Sequence, residues 1–235
     1  LVFFSGVQYY TGQYFDIKTL TEAAHSVGAY AGFDCAHAAG NVKMELHDWN
    51  VDFAAWCTYK YLNSSPGGVS GVFVHNKHGN NPDTPRLAGW WGHKESERFQ
   101  MKKGFIPEQG AAGWQLSNAP VLAMAAHKAS LDMFDEVGMD ALVAKGKQLN
   151  AYLEFVVKEA QEFNKKLAFE IITPAERGCQ LSMLTNENGK ALFDYLTAKD
   201  VIADWREPNV IRLAPVPMYN SFTDVWSFGE LLKEF

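Results

Sequence analysis

Hydrophobic and polar positions along the first 75 residues form short apolar runs separated by a helical pattern. Apolar residues at helical spacing predict a helix over residues 17–27, with Asp16 as its N-cap and Gly28 as its stop. Buried strands are predicted over residues 29–33, 53–58 and 71–75, and a short helix over residues 46–50. Strands that alternate with helices at this spacing indicate an α/β fold with a mostly parallel sheet.

The pattern changes in the second half of the chain. Helices are predicted over residues 119–137, 139–163 and 190–199, and strands over residues 169–172, 180–184 and 209–213. Ser221 and Asp224 form a capping-box pattern that opens a last helix. We therefore predict a larger domain over residues 1–134, which holds part of the mostly parallel sheet, and a small α+β domain over residues 135–235.

Residues 80–113 between these regions are rich in glycine, proline and aromatic residues and predict little regular structure. A stretch of that length inside a compact domain usually has a functional or interface role. The chain also opens on an apolar run without Met, as if inside a buried strand. We expect an upstream segment to complete the sheet, and the chain expressed from Leu1 alone to fold poorly.

Composition excludes several classes of protein. The chain has 47% hydrophobic and 20% charged residues, which argues against long disorder. Its net charge is -6 and its longest basic stretches are pairs of lysines, so a nucleic-acid partner is not expected. No apolar run is long enough for a membrane-spanning helix. Cys35, Cys57 and Cys179 lie far apart, which favours reduced thiols in a cytoplasmic protein.

Two polar clusters follow predicted strands, where open α/β sheets bind their ligands. The first begins at Asp34 and the second contains Lys60 between two tyrosines. Asp34 alone is often only a helix cap, and a lone lysine is usually solvated. Together they match what pyridoxal phosphate needs, because a desolvated lysine amine can form a Schiff base and a buried acid keeps the pyridine nitrogen protonated.

Other polar residues leave alternatives open. Arg212 lies in an apolar strand, where its fork suits either a substrate carboxylate or a structural salt bridge. His75 and His78 have a spacing seen in metal sites, but no third ligand is spaced to complete one, so no metal is predicted.

Six stretches of the chain carry a resemblance to one enzyme family. They are SGVQYYTGQ from Ser5, GFDCAHAAGNV from Gly32, LHDW from Leu46, YKYLN from Tyr59, GWWGH from Gly89 and RLAPVPMYNSF from Arg212. In these stretches the chain resembles the kynureninase family. The resemblance implies a pyridoxal-phosphate-dependent transferase fold of type I, of the class V aminotransferase kind. It also implies hydrolysis of L-kynurenine, or 3-hydroxy-L-kynurenine, to anthranilate, or 3-hydroxyanthranilate, and L-alanine in tryptophan catabolism.

The resemblance also implies roles for residues around the cofactor. Lys60 matches the lysine that forms the Schiff base and moves the α-proton, and Asp34 matches the partner of the pyridinium nitrogen. His37 matches a residue near the cofactor ring. Ser5 and Tyr59 match phosphate-binding positions, and Tyr59 also matches a proton donor to the product.

Three further positions match residues that contact the substrate. Arg212 matches the residue that holds the α-carboxylate. Trp90 and Asn118 match residues that reach cofactor and substrate from a neighbouring subunit, which implies a homodimer. An asparagine at position 118 goes with acceptance of 3-hydroxykynurenine in this family, whereas the alternative is that Asn118 only caps the next helix.

Two other functions stay open at this point. The family places an aromatic ring-stacking residue and further phosphate ligands upstream of Leu1, so this chain alone is expected to be inactive. A cysteine desulfurase would share the lysine and the aspartate, but it needs a nucleophilic cysteine on a mobile loop, and Cys179 lies at a predicted strand start. A binding module that has lost catalysis is disfavoured because Lys60, Asp34 and Arg212 are all present.

Overall fold

The computed structural model describes all 235 residues, and they form two compact units. The first unit comprises Leu1–Gly6, Asp16–Ala39 and Met44–Met133. The second comprises Val7–Phe15, Gly40–Lys43 and Phe134–Phe235. The division into domains over residues 1–134 and 135–235 remains a prediction.

A four-stranded sheet forms the centre of the first unit. Its strands are β1 (Val2–Ser5), β2 (Ala31–Asp34), β3 (Phe53–Cys57) and β4 (Ser70–Val74), and its helices are α1 (Ile17–Ser26), α2 (Asn76–Gly79), α3 (Glu95–Arg98) and a 3-10 helix (Gly110–Trp114). The strands lie in the order β1-β2-β3-β4. The first three are parallel and β4 is antiparallel to β3, as expected of a mostly parallel sheet.

Local chemistry explains where the first elements begin and end. The carboxylate of Asp16 accepts a hydrogen bond from the Thr19 amide at 3.0 Å and caps α1, and Gly28 with φ 74° follows its end. Gly32 in β2 lies under the Phe53 ring, and a Cβ there would come within 2.2 Å of it. Glycine therefore lets the Phe3 and Phe53 rings stack across β2, with 5.9 Å between their centroids.

One expectation for the first unit is wrong. Residues 46–50 form a turn rather than a helix, because Asn50 adopts φ 58° and the Val51 amide bonds back to the Leu46 carbonyl. Residues 80–113 hold little regular structure, as expected, with only α3 and the start of the 3-10 helix. Cation–π contacts fix this region, with Arg86 over the Trp114 ring at 3.9 Å and Arg98 over the Trp91 ring at 4.5 Å.

An antiparallel sheet and long helices form the second unit. After α4 (Val121–Val137), its elements are α5 (Met139–Phe163), β5 (Phe169–Ile171), β6 (Leu181–Thr185), α6 (Gly189–Ala198), β7 (Asp204–Arg206), β8 (Val210–Leu213) and α7 (Phe222–Glu234). The strand order is β5-β6-β8-β7. The three-residue strand β7 was not predicted.

The core of the second unit lies between the sheet and its helices. Leu149, Val157, Leu181, Met183 and Leu232 are fully buried there or nearly so. The predicted capping box is confirmed, since Ser221 and Asp224 bond reciprocally at the start of α7. None of the helices in the structure has the length and apolar character needed to cross a membrane.

Candidate functional site

The carboxyl edge of the first sheet, where β1, β2 and β3 end at Ser5, Asp34 and Cys57, carries the first candidate groups. Ser5 pairs with Asp34, and Asp34 pairs with Ala55 of β3. Paired residues in neighbouring strands face the same side of a sheet. The hydroxyl of Ser5 and the carboxylate of Asp34 are therefore neighbours on one face, beside the small side chain of Ala55.

Asp34 is exposed rather than buried. Its Oδ1 atom accepts a hydrogen bond from the Ala36 amide at 2.9 Å, so the residue does shape the turn that follows β2. The other carboxylate oxygen takes no part in that turn. The structural role and the ligand-binding role of Asp34 are thus compatible, because each uses a different oxygen.

The loop after β3 carries Tyr59 and Lys60. Thr58 is fully buried and anchors the loop, because its hydroxyl donates to the Val69 carbonyl and is hydrogen-bonded to the Ser64 hydroxyl. Lys60 is half-buried, and its Nζ atom lies 5.8 Å from the centroid of the Tyr59 ring. Lys60 was expected to be buried between its two tyrosines. It is only half-buried, because the neighbouring Tyr59 side chain is itself 51% exposed and does not cover it.

The two polar clusters lie side by side. The rings of His37 and Tyr61 meet edge to face, with centroids 6.1 Å apart. The Cys57 thiol lies 3.9 Å from the Ala36 carbonyl. A hydrogen bond to the Cys57 sulfur also raises the pKa of the Tyr59 phenol above its ordinary value. The structure therefore joins the segment from Asp34 to His37 with the segment that carries Lys60.

Trp90 and Asn118 lie outside this cluster of contacts. Trp90 is 45% exposed, and its ring meets Phe99 edge to face at 5.6 Å. Asn118 is exposed and precedes α4 by three residues. The alternative that Asn118 caps a helix starting at residue 119 is wrong, because α4 begins at Val121 and the Pro120 carbonyl accepts the Met124 amide at 2.9 Å.

Arg212 belongs to the second unit, where its side chain is 11% exposed. Its guanidinium donates from Nε and Nη2 to the Asp204 carboxylate and from Nη1 to the Tyr9 carbonyl at 2.6 Å. The structural salt bridge considered for Arg212 is therefore present. No sequence pattern pointed to Asp204, because this residue lies on the unpredicted strand β7.

The three thiols are free, as expected. Cys179 is 2% exposed, and burial raises its pKa to about 12. A thiol in that state is a poor nucleophile, which weighs against the desulfurase alternative. No group of three or more His, Cys, Asp or Glu side chains in the structure has an arrangement that could hold a metal ion, and His75 and His78 belong to no such group.

One buried charge was missed by sequence reasoning. Asp52, directly before β3, is 2% exposed and lies at the end of the sheet opposite the carboxyl edge. It accepts hydrogen bonds from the Ala31 amide at 2.7 Å and from the Nε2 atoms of His25 and His78 at 2.8 and 2.6 Å. The ammonium of Lys77 lies 2.7 Å from it. These four donors come from three elements, α1, β2 and α2, so no single local sequence motif connects them with Asp52.

Comparisons with known proteins agree with this geometry. The family model for class-V aminotransferases matches residues 1–177, and the model for the kynureninase C-terminal domain matches residues 142–232. The chain is 59% identical to the kynureninase of Flavobacterium johnsoniae over 100% of its own length and 56% of that protein. It is 51% identical to the kynureninase of Coccidioides immitis, covering 98% of this chain and 51% of that protein. The chain thus spans about half the length of these curated relatives.

Solved structures with the same fold are more distant in sequence. The cystine C-S lyase C-DES, in complex with its product cysteine persulfide, has a TM-score of 0.81 at 15% identity and covers 100% of this chain and 61% of its own. The cysteine desulfurase of Thermococcus onnurineus has a TM-score of 0.75 at 15% identity, covering 99% and 59%. At this identity the likeness concerns the fold alone, and it confirms the expected type I fold. The chain belongs to the class-V aminotransferase family, and its predicted resemblance to kynureninases is confirmed.

Proposed function

We propose that the full-length protein is a kynureninase that hydrolyses L-kynurenine, and also 3-hydroxy-L-kynurenine, to L-alanine and the corresponding anthranilate. The observation that carries the proposal is the carboxyl edge, where Ser5, Asp34 and the loop with Lys60 lie together. The identity of 59% to a protein named kynureninase supports this choice among class-V enzymes.

The groups at the carboxyl edge fit pyridoxal phosphate. The exposed carboxylate of Asp34 suits a protonated ring nitrogen, and the half-buried amine of Lys60 suits an aldehyde carbon. The hydroxyl of Ser5 offers a donor to a phosphate oxygen, next to Asp34 in the register. His37 lies beside the loop of Lys60 and would line the ring.

Pyridoxal phosphate, when bound, supplies the electron sink that makes the α-proton acidic. Lys60 would hold the cofactor, and its amine would take the α-proton and later return a proton. Tyr59 would hold a phosphate oxygen and donate a proton to the alanine product. A tyrosine phenol carries its proton at neutral pH, so Tyr59 has a proton to donate, and its raised pKa makes it a weaker acid than a free phenol.

The substrate and the partner follow from three further residues. Arg212 would bind the α-carboxylate of the substrate, and Asn118 would contact the substrate's aromatic ring near its 3-hydroxyl position. Trp90 and Asn118 are exposed, as expected of residues that complete the site of a second copy in a homodimer.

We also propose that residues 1–134 belong to the large cofactor domain, that residues 135–235 form the small domain, and that the protein is cytoplasmic.

Borohydride reduction of the cofactor-loaded full-length protein tests the assignment of Lys60. Peptide mass spectrometry should place the pyridoxyl adduct on Lys60, and Lys60→Ala should remove it. Lys18→Ala is a matched control, because Lys18 is exposed on α1. An adduct on another lysine would refute the assignment.

Anthranilate fluorescence after addition of L-kynurenine tests the reaction. Release of anthranilate with an equal amount of L-alanine supports the proposal. A cofactor-loaded protein that releases sulfur from cysteine instead, with no anthranilate formed, would favour the desulfurase alternative.

A further inference from the structure

Asp204 and Arg212 face each other across two neighbouring antiparallel strands. The register pairs Asp204 of β7 with Arg212 of β8, and Ser182 of β6 pairs with Arg212 on the other side. Arg212 is therefore on a strand with hydrogen-bonded neighbours on both sides, and its backbone position is fixed by the sheet. The direction of its guanidinium then depends on the groups that its nitrogen atoms contact.

Three N–H groups of Arg212 are held within the chain. Nε and Nη2 donate to the same oxygen of Asp204, and Nη1 donates to the Tyr9 carbonyl at 2.6 Å. A guanidinium has five N–H donors in one plane. Two N–H groups are left, one on Nη1 and one on Nη2, and each of them can donate to a carboxylate oxygen.

The charges near Arg212 also favour an anion. Asp204 is shared between two arginines, because the Nε atom of Arg206 lies 3.0 Å from the oxygen that Arg212 contacts. One carboxylate between two guanidinium groups leaves a net charge of about +1. The Arg212 side chain is 11% exposed, whereas Asp204 and Arg206 are 42% and 45% exposed, so within this group the charge on Arg212 is the one that solvent screens least.

We propose that Asp204 is a positioning residue: it holds the Nε–Nη2 edge of Arg212 and thereby presents the Nη1–Nη2 edge to the carboxylate of an amino-acid substrate. This inference rests on the proposed function and identifies how its carboxylate is recognised. Asp204 does not touch the substrate. It acts by preventing rotation of a guanidinium that would otherwise sample several directions.

The test compares two amines that differ in a carboxylate. Dissociation constants of L-alanine and ethylamine are measured from the change in cofactor absorbance of the loaded full-length protein. The wild-type protein should bind L-alanine more tightly. In Asp204→Asn this preference should fall about tenfold to a hundredfold, with the affinity for ethylamine within about twofold of wild type. The KM for L-kynurenine should rise by a similar factor, with much less change in kcat.

Two variants control for folding. Asp194→Asn makes the same substitution in an exposed ion pair with Lys190 on α6 and should keep the wild-type preference. Asp204→Glu keeps a carboxylate and should restore part of the preference, and it replaces Asp204→Asn if that variant shows no cooperative thermal transition. Folded Asp204 variants that keep the full preference for L-alanine overturn the inference, as does an equal loss for both amines.

The two proposals fail in different ways. A wild-type protein that binds L-alanine through Arg212 but forms no anthranilate refutes the kynureninase proposal and leaves the role of Asp204 in place. Anthranilate formation at wild-type KM in Asp204→Asn refutes the role of Asp204 and leaves the kynureninase proposal in place.

Discussion

Replacement of Asp52 by alanine is expected to destabilise the protein strongly. The change removes an acceptor that is 2% exposed and leaves the Ala31 amide, which is fully buried, without a partner. An unsatisfied buried N–H costs about 1–3 kcal/mol. His25, Lys77 and His78 also lose their common acceptor. Breaking a fully buried charge pair costs about 3–5 kcal/mol, but these three partners are 24–34% exposed and solvent relieves part of that cost, so we take about 3 kcal/mol as the total.

Thermal unfolding measures this effect. A loss of 1 kcal/mol moves Tm by about 2–4 °C in a domain of about 150–250 residues, so in the full-length protein Asp52→Ala should lower the Tm of the domain that contains it by roughly 10 °C. Asp48→Ala is the matched control, because the Asp48 side chain is 79% exposed in its contact with His47 and its loss should change stability by about 0.5 kcal/mol or less. Equal Tm values for the two variants would show that the donors around Asp52 find other partners.

The pH dependence gives a second check on Asp52. Burial by itself would raise the pKa of this carboxyl, but hydrogen bonds from His78, Lys77, Ala31 and His25 outweigh it and hold the pKa well below its usual range. A depressed pKa stabilises the fold above the unfolded value of about 3.9, and this contribution is lost as the pH falls toward the folded value. The difference between wild type and Asp52→Ala should therefore be full above about pH 5 and shrink below about pH 4.

Three further predictions concern the cysteines and the proposed substrate contacts. Cys57 should react with a thiol reagent in the folded protein before Cys35 and Cys179 do, since burial raises the pKa of the latter two to about 12; peptide mapping that finds either of them labelled first would contradict this. Arg212→Lys should raise the KM for L-kynurenine about thirtyfold or more, which corresponds to about 2 kcal/mol, while the cofactor stays bound, because lysine lacks the bidentate fork; an unchanged KM would make Arg212 purely structural. Asn118→Thr should shift the ratio of kcat/KM from 3-hydroxykynurenine toward kynurenine, and a constant ratio in a folded variant would disprove the ring contact.

Sequence patterns predicted the elements whose signals are local. The bounds of α5 agree with the prediction at both ends, because the helical pattern is long and Gly138 interrupts it at the start with φ 79°. The start of α1 was predicted from its cap at Asp16. By contrast, β7 has only three residues, two of them charged, and becomes a strand only through its pairing with β8. That pairing depends on the tertiary fold, so no local pattern indicates it.

The candidate site divides in the same way. The closeness of Ser5 and Asp34 could be expected, since the carboxyl ends of parallel strands meet at one edge. The contact between Asp204 and Arg212 could not, because it needs the register of an unpredicted strand. Lys60 was also expected to be more buried than it is. An apolar strand before a lysine indicates that the strand is packed, but it does not indicate how buried the loop after the strand is.

Two aspartates of the first sheet show why burial alone does not identify a ligand-binding carboxylate. Asp52 is buried and already accepts from the Ala31 amide and two histidines, with an ammonium in contact as well. A ligand could reach it only by displacing one of these donors. Asp34 is exposed and accepts from the Ala36 amide through one oxygen. The second oxygen of Asp34 can accept a hydrogen bond from a protonated nitrogen of a ligand, and no donor has to be displaced first. The number of donors around each carboxylate therefore supports the proposed site at the carboxyl edge, and it assigns Asp52 a structural role.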